Sequence, residues 1–161
     1  MRDPEKTVPA PVALSDILEA MAFQSDETTA YLHRPTGRVI TVSDEAIRAA
    51  EQGDDAFVEP DELADARGIL AGGDDYLALP DRFEINEYSM MERFAAAVAD
   101  TAAREELLGA IRGRGAFGRF KDAAHRLRLI DEWYALRDRG YEEVARAWCD
   151  AHGIVVASAR G

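Results

Sequence analysis

The sequence predicts an α+β fold that is mostly helical, with a small antiparallel sheet, made of a hairpin and one further strand, packed on helices. Two runs of β-forming residues between Tyr31 and Val42 flank a Pro-Thr-Gly turn, which is typical of a β-hairpin. A third run at 76–80 ends in a proline, which cannot donate to a strand ladder. Most other segments carry apolar residues at helical spacing. Because strands and helices do not alternate, a parallel βαβ architecture is not expected.

Capping residues predict where the helices of the first half begin and end. A first helix is expected over 13–23, where apolar residues recur at helical spacing. The Ser43 hydroxyl can accept a hydrogen bond from the first turn of a helix over 44–51, which Gly53 ends. Pro60 opens another helix, because a proline at the first helical position loses no hydrogen bond, and a pair of glycines ends that helix.

Helical periodicity extends over nearly all of the second half. Residues 86–100 place their apolar side chains on one face, and Asp81 is an alternative start because Asp-Arg-Phe-Glu fits a capping box. The apolar spacing then continues to Gly113. Two more helices are expected, over 116–127 and 130–152.

Length and composition predict the organisation of the chain. Its 161 residues favour one compact domain over 13–155, with flexible tails at 1–12 and 156–161. The N-terminus lacks the apolar run of a secretory signal, and charges interrupt every apolar segment before it is long enough to span a membrane. The single cysteine, Cys149, allows no internal disulfide and favours a reducing compartment. We therefore expect a cytoplasmic protein without membrane association.

Charge is distributed unevenly along the chain. The net charge is −12, but residues 1–109 hold 9 Lys/Arg against 24 Asp/Glu, whereas residues 110–161 hold 10 against 7. An acidic body repels nucleic acid at long range, while a local cluster of cations can still hold an anion at close range. General coating of nucleic acid is therefore not expected, but a small, specific anionic site is compatible with this pattern.

The stretch from Arg112 to Asp122 is the most distinctive segment of the sequence. Glycines make a turn possible just before a helix start, and four cations surround it. Exposed N–H groups at a helix N-terminus bind phosphate or carboxylate, and arginine forks match both anions. This pattern predicts an anion-binding set: Arg114, Gly115, Arg119, Lys121, His125, Tyr134 and Arg137. The segment lacks the Lys-Ser/Thr ending of a P-loop and follows no strand, so it does not indicate nucleotide triphosphate binding.

A purely structural interpretation of the same stretch competes with this one. Gly113 would end a helix, and Asp122 would pair with Arg119 and Arg126 at helical spacing. The apolar residues would form a core stripe consisting of Phe117, Phe120, Ala124 and Leu127. Under this interpretation the cations are a solvated surface and no ligand is implied.

A combination of short motifs resembles a known family. The motifs are FEINEY at 83–88, MERF at 91–94, GRGAF at 113–117, RFKD at 119–122, and the pairs Trp133-Tyr134 and Trp148-Cys149. Together they resemble the bacterial uncharacterised protein family 0158, from the hairpin to about Gly153. The resemblance implies a small cytoplasmic bacterial domain with no assigned activity, and it carries over no catalytic residue.

Two residue pairs could in principle carry out catalysis. His125 and Asp122 share a helix, so the carboxylate could orient the imidazole as a base. Cys149 and His152 are spaced to meet on one helical face, although a cysteine beside Trp148 is more typical of a core residue. No zinc spacing, EF-hand, nucleophile elbow or dinucleotide fingerprint is present, so neither a metal nor a cofactor is expected.

The sequence also contains aromatic and acidic clusters, for which structural roles are expected. The spacing of Trp133, Leu136, Tyr141, Val144 and Trp148 predicts core packing, with Tyr134 and Arg137 beside them on the surface. Acidic residues cluster at Asp54-Asp55, Asp61-Glu62-Asp65 and Asp74-Asp75, where they are expected to cap helices and turns.

Three functional hypotheses follow. The first is a binding or regulatory domain that recognises a phosphate-bearing ligand or RNA through the glycine–arginine turn. The second is a small hydrolase or transferase that uses His125 with Asp122. The third is a protein-interaction domain whose acidic first half holds a basic protein.

Overall fold

The computed structural model describes residues 10–53 and 58–157, and the predicted fold class is confirmed. The strands are β1 (Thr28–His33), β2 (Arg38–Ser43) and β3 (Tyr76–Ala78). The helices are α1 (Leu14–Phe23), α2 (Asp44–Gln52), α3 (Pro60–Gly72), α4 (Arg82–Ile85), α5 (Glu87–Ala97), α6 (Thr101–Ala110), α7 (Ala116–Arg126) and α8 (Ile130–Ala151). A single 3-10 turn, Gly73–Asp75, precedes β3.

The chain forms two compact units. The first unit comprises Met1–Arg82 and Val144–Gly161, and the second comprises Phe83–Glu143. Helix α8 continues from the second unit into the first without a break. The prediction of one domain over 13–155 stays a prediction.

The sheet of the first unit has the strand order β2-β1-β3, and both pairings are antiparallel. The hairpin register pairs His33 with Arg38 across the predicted turn, where Gly37 has a positive φ of 75° that favours glycine. Strand β3 is shorter than predicted. The amide of Leu79 still donates to the carbonyl of Ala30 at 3.0 Å, but Pro80 has no N–H with which to continue the ladder.

Helices of the first half pack on this sheet. In the first unit, β2 contacts α1, α2 and α3. The expectation that helices from the second half cover the sheet is therefore wrong for β2. Both faces are covered in part, because Leu32 of β1 and Ile40 of β2 are buried although they point to opposite sides of the sheet.

The predicted capping residues act as expected in the first unit. The Ser43 hydroxyl accepts a hydrogen bond from the amide of Ala46 at 3.1 Å, and Gly53 ends α2 in the left-handed conformation. Pro60 is the first residue of α3. These boundaries depend only on residues within one helical turn, which is why the sequence predicts them correctly.

The long helical segment predicted over 86–100 and onward is divided in the structure. Residues 82–85 form the short helix α4, and Asn86 then adopts a left-handed conformation with φ of 54°. Its side-chain oxygen caps α5 by accepting from the amide of Ser89 at 3.2 Å. Asp100 caps α6 in the same way, through the amide of Ala103 at 2.9 Å. Both proposed starts therefore mark real helices. The predicted end at 100 lies close to the observed end of α5 at Ala97, but a separate helix beginning at Thr101 was not predicted.

The two predicted tails lie partly outside the described residues, as does the Asp54-Asp55 cluster. At their inner ends, Val12 forms a parallel bridge with Val156, and the amide of Ala157 donates to the carbonyl of Val12 at 2.8 Å. Val12 is buried. Residues 10–12 and 156–157 therefore belong to the packed part of the first unit.

Candidate anion-binding site at the glycine–arginine turn

A cluster of three aromatic rings holds α7 in the second unit. Phe94, Phe120 and Trp133 meet edge to face, with ring centroids 5.0–6.1 Å apart. Phe120 and Trp133 are fully buried, as predicted for Trp133. The indole Nε1 of Trp133 has no hydrogen-bond partner among the described residues. The edge-to-face packing around it is the arrangement in which an N–H can point at an aromatic face.

The turn between α6 and α7 is held mainly by Arg119, and the Tyr88 hydroxyl adds a hydrogen bond to the carbonyl of Ile111 at 3.0 Å. Arg119 donates from Nε to the carbonyl of Ala110 at 3.1 Å, and its two terminal nitrogens donate to the carbonyls of Arg112 and Arg114. Ala110 is the last residue of α6, where carbonyls lack helical partners. The guanidinium of Arg119 therefore both caps α6 and fixes the conformation of the turn. A Cβ at Gly115 would lie 3.1 Å from this guanidinium, so the glycine leaves room for it.

This geometry changes the role predicted for Arg119. Three of its five N–H donors serve backbone carbonyls, so Arg119 supports the turn and keeps two donors for a ligand. The structural interpretation in which Asp122 pairs with Arg119 and Arg126 is also wrong. Arg126 pairs with Glu106 of α6, and no hydrogen bond or ion pair of Asp122 occurs among the described residues.

The cations on the turn itself are available to a ligand. Arg112 and Arg114 are exposed, and neither side chain has an ion-pair or hydrogen-bond partner within residues 10–53 and 58–157. Gly113 and Gly115 both have positive φ angles, 76° and 73°, which bend the chain on either side of Arg114. Helix α7 then starts without a side-chain cap at Gly115. The turn thus places unpaired arginines beside a helix N-terminus.

One face of α7 carries an exposed aromatic ring in line with two further basic groups. Phe117, Lys121 and His125 are four residues apart, so their side chains lie above one another along the helix. Phe117 is 41% exposed, Lys121 is half-buried, and His125 is exposed. The predicted core stripe is therefore wrong at Phe117. The core face consists of Ala116, Phe120, Ala123 and Ala124.

The seven predicted anion-binding residues lie on three parts of the second unit, namely the turn, α7 and α8. Arg114, Gly115 and Arg119 lie together at the turn. Arg119 and Lys121 are two residues apart on α7 and therefore point to different sides of the helix. Tyr134 and Arg137 form a separate pair on α8, with the guanidinium 4.9 Å from the ring centroid and 3.6 Å from the carboxylate of Asp138.

Neither catalytic pair is assembled. No hydrogen bond joins Asp122 to His125 among the described residues. Cys149 is buried, and this burial raises the pKa of its thiol, with the charge of Asp150 adding to the effect and Arg146 opposing it. The imidazole of His152 instead packs on the indole of Trp148, with centroids 5.2 Å apart. The interpretation of Cys149 as a core residue is confirmed.

The acidic cluster at Asp61-Glu62-Asp65 has structural partners on β2. Glu62 accepts from the amide of Ser43 at 2.7 Å, and Asp65 pairs with Arg38 at 3.5 Å. Within the described residues, no group of three His, Cys, Asp or Glu side chains is arranged to hold a metal ion.

The model of the uncharacterised protein family UPF0158 matches residues 9–157. The chain belongs to this family. The UPF0158 match extends through both compact units and includes the glycine–arginine turn. No curated protein and no solved structure matches the chain. No helix of the described UPF0158 chain combines the length and apolar character needed to cross a membrane.

Proposed function

We propose that this protein is a binding domain that recognises single-stranded RNA through the turn at 112–115 and the adjoining face of α7. The observation that carries the proposal is the engagement of Arg119. Because its guanidinium holds three carbonyls of the α6 end and the turn, Arg112 and Arg114 are presented on a fixed backbone without partners of their own. Arginines in this situation suit phosphate oxygens.

The composition of the α7 face supports RNA over a simple anion. Phe117 offers an exposed ring on which a base can stack, and Lys121, one turn further, can reach a phosphate. An exposed imidazole at His125 extends this row of groups. A stacking ring next to unpaired cations is the general design of sites that bind single strands without reading sequence.

The acidity of the remaining chain restricts this binding to short contacts. The second unit holds 10 Lys/Arg against 12 Asp/Glu, but six of its cations fall within residues 112–128 with Asp122 as the single acid there. A long nucleic acid would meet negative charge outside this patch. The ligand is therefore a short segment of single strand, consistent with a regulatory or binding role.

Fluorescence anisotropy of a short labelled single-stranded RNA, titrated with the full chain at low and at physiological salt, tests the proposal. The double variant Arg112→Ala/Arg114→Ala should weaken binding and flatten its salt dependence by about 0.7 in log–log slope for each lost phosphate contact. The matched control is Arg93→Ala/Arg139→Ala, which removes two exposed cations of the second unit elsewhere. Equal losses in both variants would contradict a specific site.

Stacking is tested separately. Phe117→Leu keeps an apolar side chain but removes the ring, so RNA affinity should fall by roughly 5- to 150-fold, corresponding to about 1–3 kcal/mol for one stacked base. Phe83→Leu is the control, because Phe83 is 92% exposed and lies outside the proposed site. If wild-type protein fails to bind RNA at low salt, the proposal is wrong.

Catalysis by His125 with Asp122 lacks comparable support, since no hydrogen bond orients the imidazole toward the carboxylate. The acidic first half is supported as a protein-binding surface by a different observation, which concerns the edge of the sheet.

A further inference from the structure

The hydrogen bonds at the end of β2 define which way its backbone groups point. The amide of Asp44 donates to the carbonyl of Glu27 at 2.8 Å, on the side of β1. The amide of the preceding residue, Ser43, points the opposite way and donates to the carboxylate of Glu62 on α3 at 2.7 Å. In an antiparallel pair such directions alternate from one residue to the next.

The same alternation of backbone directions applies to the residues in the middle of β2. Val39 and Thr41 share the orientation of Ser43, so their N–H and C=O groups point away from β1. The carbonyl of Ala30, the β1 partner of Thr41, accordingly points to the β3 side and accepts from Leu79. Since β2 lies at the edge of the sheet, no strand among the described residues pairs with these groups. The middle of β2 therefore has no strand partner on this side among the described residues, although Glu62 of α3 binds the amide of Ser43 at its end.

A groove of about 570 Å³ lies beside this edge, between α1 and β2. Val39 and Thr41 line one wall of the groove, and their backbone N–H and C=O groups point outward in the plane of the sheet, at the edge next to the groove. Asp16, Glu19 and Phe23 of α1 line the opposite wall. Phe23 is 72% exposed, which is unusual for a phenylalanine and gives the groove an apolar contact at the end of α1.

The electrostatics of the groove favour a positively charged occupant. Asp16 and Glu19 have no ion-pair partner within the described residues, and they lie three apart on α1, which places them side by side. The one cation of the lining, Arg38, already pairs with Asp65 of α3 at 3.5 Å. The groove therefore offers negative charge beside unpaired strand groups.

We infer that this groove binds an extended, lysine- or arginine-bearing segment of a partner protein, which adds a strand to β2. Residues of the docked segment that hydrogen-bond to Val39 and Thr41 direct their side chains to the same face, toward Asp16 and Glu19. Basic residues at alternate positions thus satisfy the carboxylates, while their aliphatic stems cover Phe23. The inference is independent of RNA binding by the second unit.

A second copy of the chain is a poorer occupant. Pairing two β2 edges would bring the carboxylates of Asp16 and Glu19 of each copy next to those of the other, because the contact surface in a symmetric dimer is the same on both sides. Like charges at that distance oppose association. The inference would be overturned if light scattering showed a concentration-dependent dimer and the amides of β2 were protected from hydrogen exchange in that dimer.

The test is fluorescence anisotropy with a labelled peptide of alternating lysine and threonine, titrated with the full chain. Binding is expected, and a peptide of the same sequence with N-methylated lysines should bind at least tenfold more weakly, because it keeps the charge but cannot donate to β2. Equal binding of the two peptides would exclude strand addition and leave only nonspecific attraction.

Matched charge variants locate the site. Asp16→Asn/Glu19→Gln should weaken binding by about three- to tenfold, as expected for losing two exposed charge contacts. Glu105→Gln/Glu143→Gln removes the same charge from exposed positions of the second unit and should leave affinity unchanged. Amide hydrogen exchange should slow at Val39 and Thr41 when peptide is added. Protection elsewhere with no change at these two amides would overturn the inference even if the peptide binds.

Discussion

At the scale of single residues, the main lesson concerns Arg119. Sequence spacing pairs it with a carboxylate on its own helix, but its guanidinium instead donates to three carbonyls around the end of α6 and the following turn. A planar fork with several donors suits this role, and no other side chain reproduces it. Arg119 is therefore a positioning residue for the turn, while Arg112 and Arg114 are the proposed contacts to phosphate.

This role predicts the effect of Arg119→Lys. The charge is retained, but an ammonium cannot hold three carbonyls in the geometry of the fork, so we expect a loss of about 1–2 kcal/mol in the free energy of unfolding. RNA affinity should fall as well, because Arg114 is then presented on a looser turn. Urea denaturation measures the first effect and anisotropy the second. The control Arg139→Lys, at an exposed position of α8, should change neither the stability nor the RNA affinity. An Arg119→Lys variant with wild-type stability and affinity would show that the cap is dispensable.

At the scale of secondary-structure elements, short-range signals give the boundaries and long-range packing gives the exposed faces. The serine cap of α2, the proline start of α3 and the turn of the hairpin were predictable because their partners lie within a few residues. The helix predicted over 86–100 ends near the observed end of α5, but the start of α6 was not predicted, since the apolar spacing continues through it and only the cap formed by Asp100 marks it. Phe117 was predicted to lie in the core because helical spacing identifies the apolar face of α7 but does not show how wide that face is.

The junction of α4 and α5 provides a test at this scale. Asn86 combines a left-handed backbone with a side-chain cap on Ser89, so Asn86→Ala should lose both and destabilise the protein by about 1–3 kcal/mol. Asn86→Asp keeps the cap and tolerates the conformation, and Asn86→Gly keeps the backbone freedom alone, so both should be closer to wild type. Thermal unfolding followed by circular dichroism ranks the three. An alanine variant as stable as the aspartate variant would contradict this account of the junction.

At the scale of the whole molecule, we expect the two compact units to unfold together. The single-domain prediction expects one cooperative transition, and α8 gives this a physical basis because it continues from one unit into the other. The two tryptophans are suitable reporters, since Trp133 lies in the second unit and Trp148 in the first.

Single-tryptophan variants measure whether the two compact units unfold in one transition. Trp148→Phe leaves the fluorescence of Trp133, and Trp133→Phe leaves that of Trp148. For each variant we expect the urea transition seen by its remaining tryptophan to coincide with the transition seen by circular dichroism. Each variant thus serves as its own stability control, so a loss of stability from the substitution does not affect the comparison. A fluorescence midpoint clearly separated from the circular dichroism midpoint would mean that the units unfold independently and that the chain has two domains.

The fold class, the hairpin and most helix boundaries could be predicted from local sequence patterns, because they depend on periodicity, on turn residues and on caps that act between near neighbours. The family was identified from the resemblance of several short motifs. The sequence also located the cationic turn. Three properties became visible only in the folded chain: Arg119 binds backbone carbonyls, Phe117 is exposed, and β2 is an edge strand beside an acidic groove. These properties depend on which distant segments pack against a residue, and local spacing does not specify those segments.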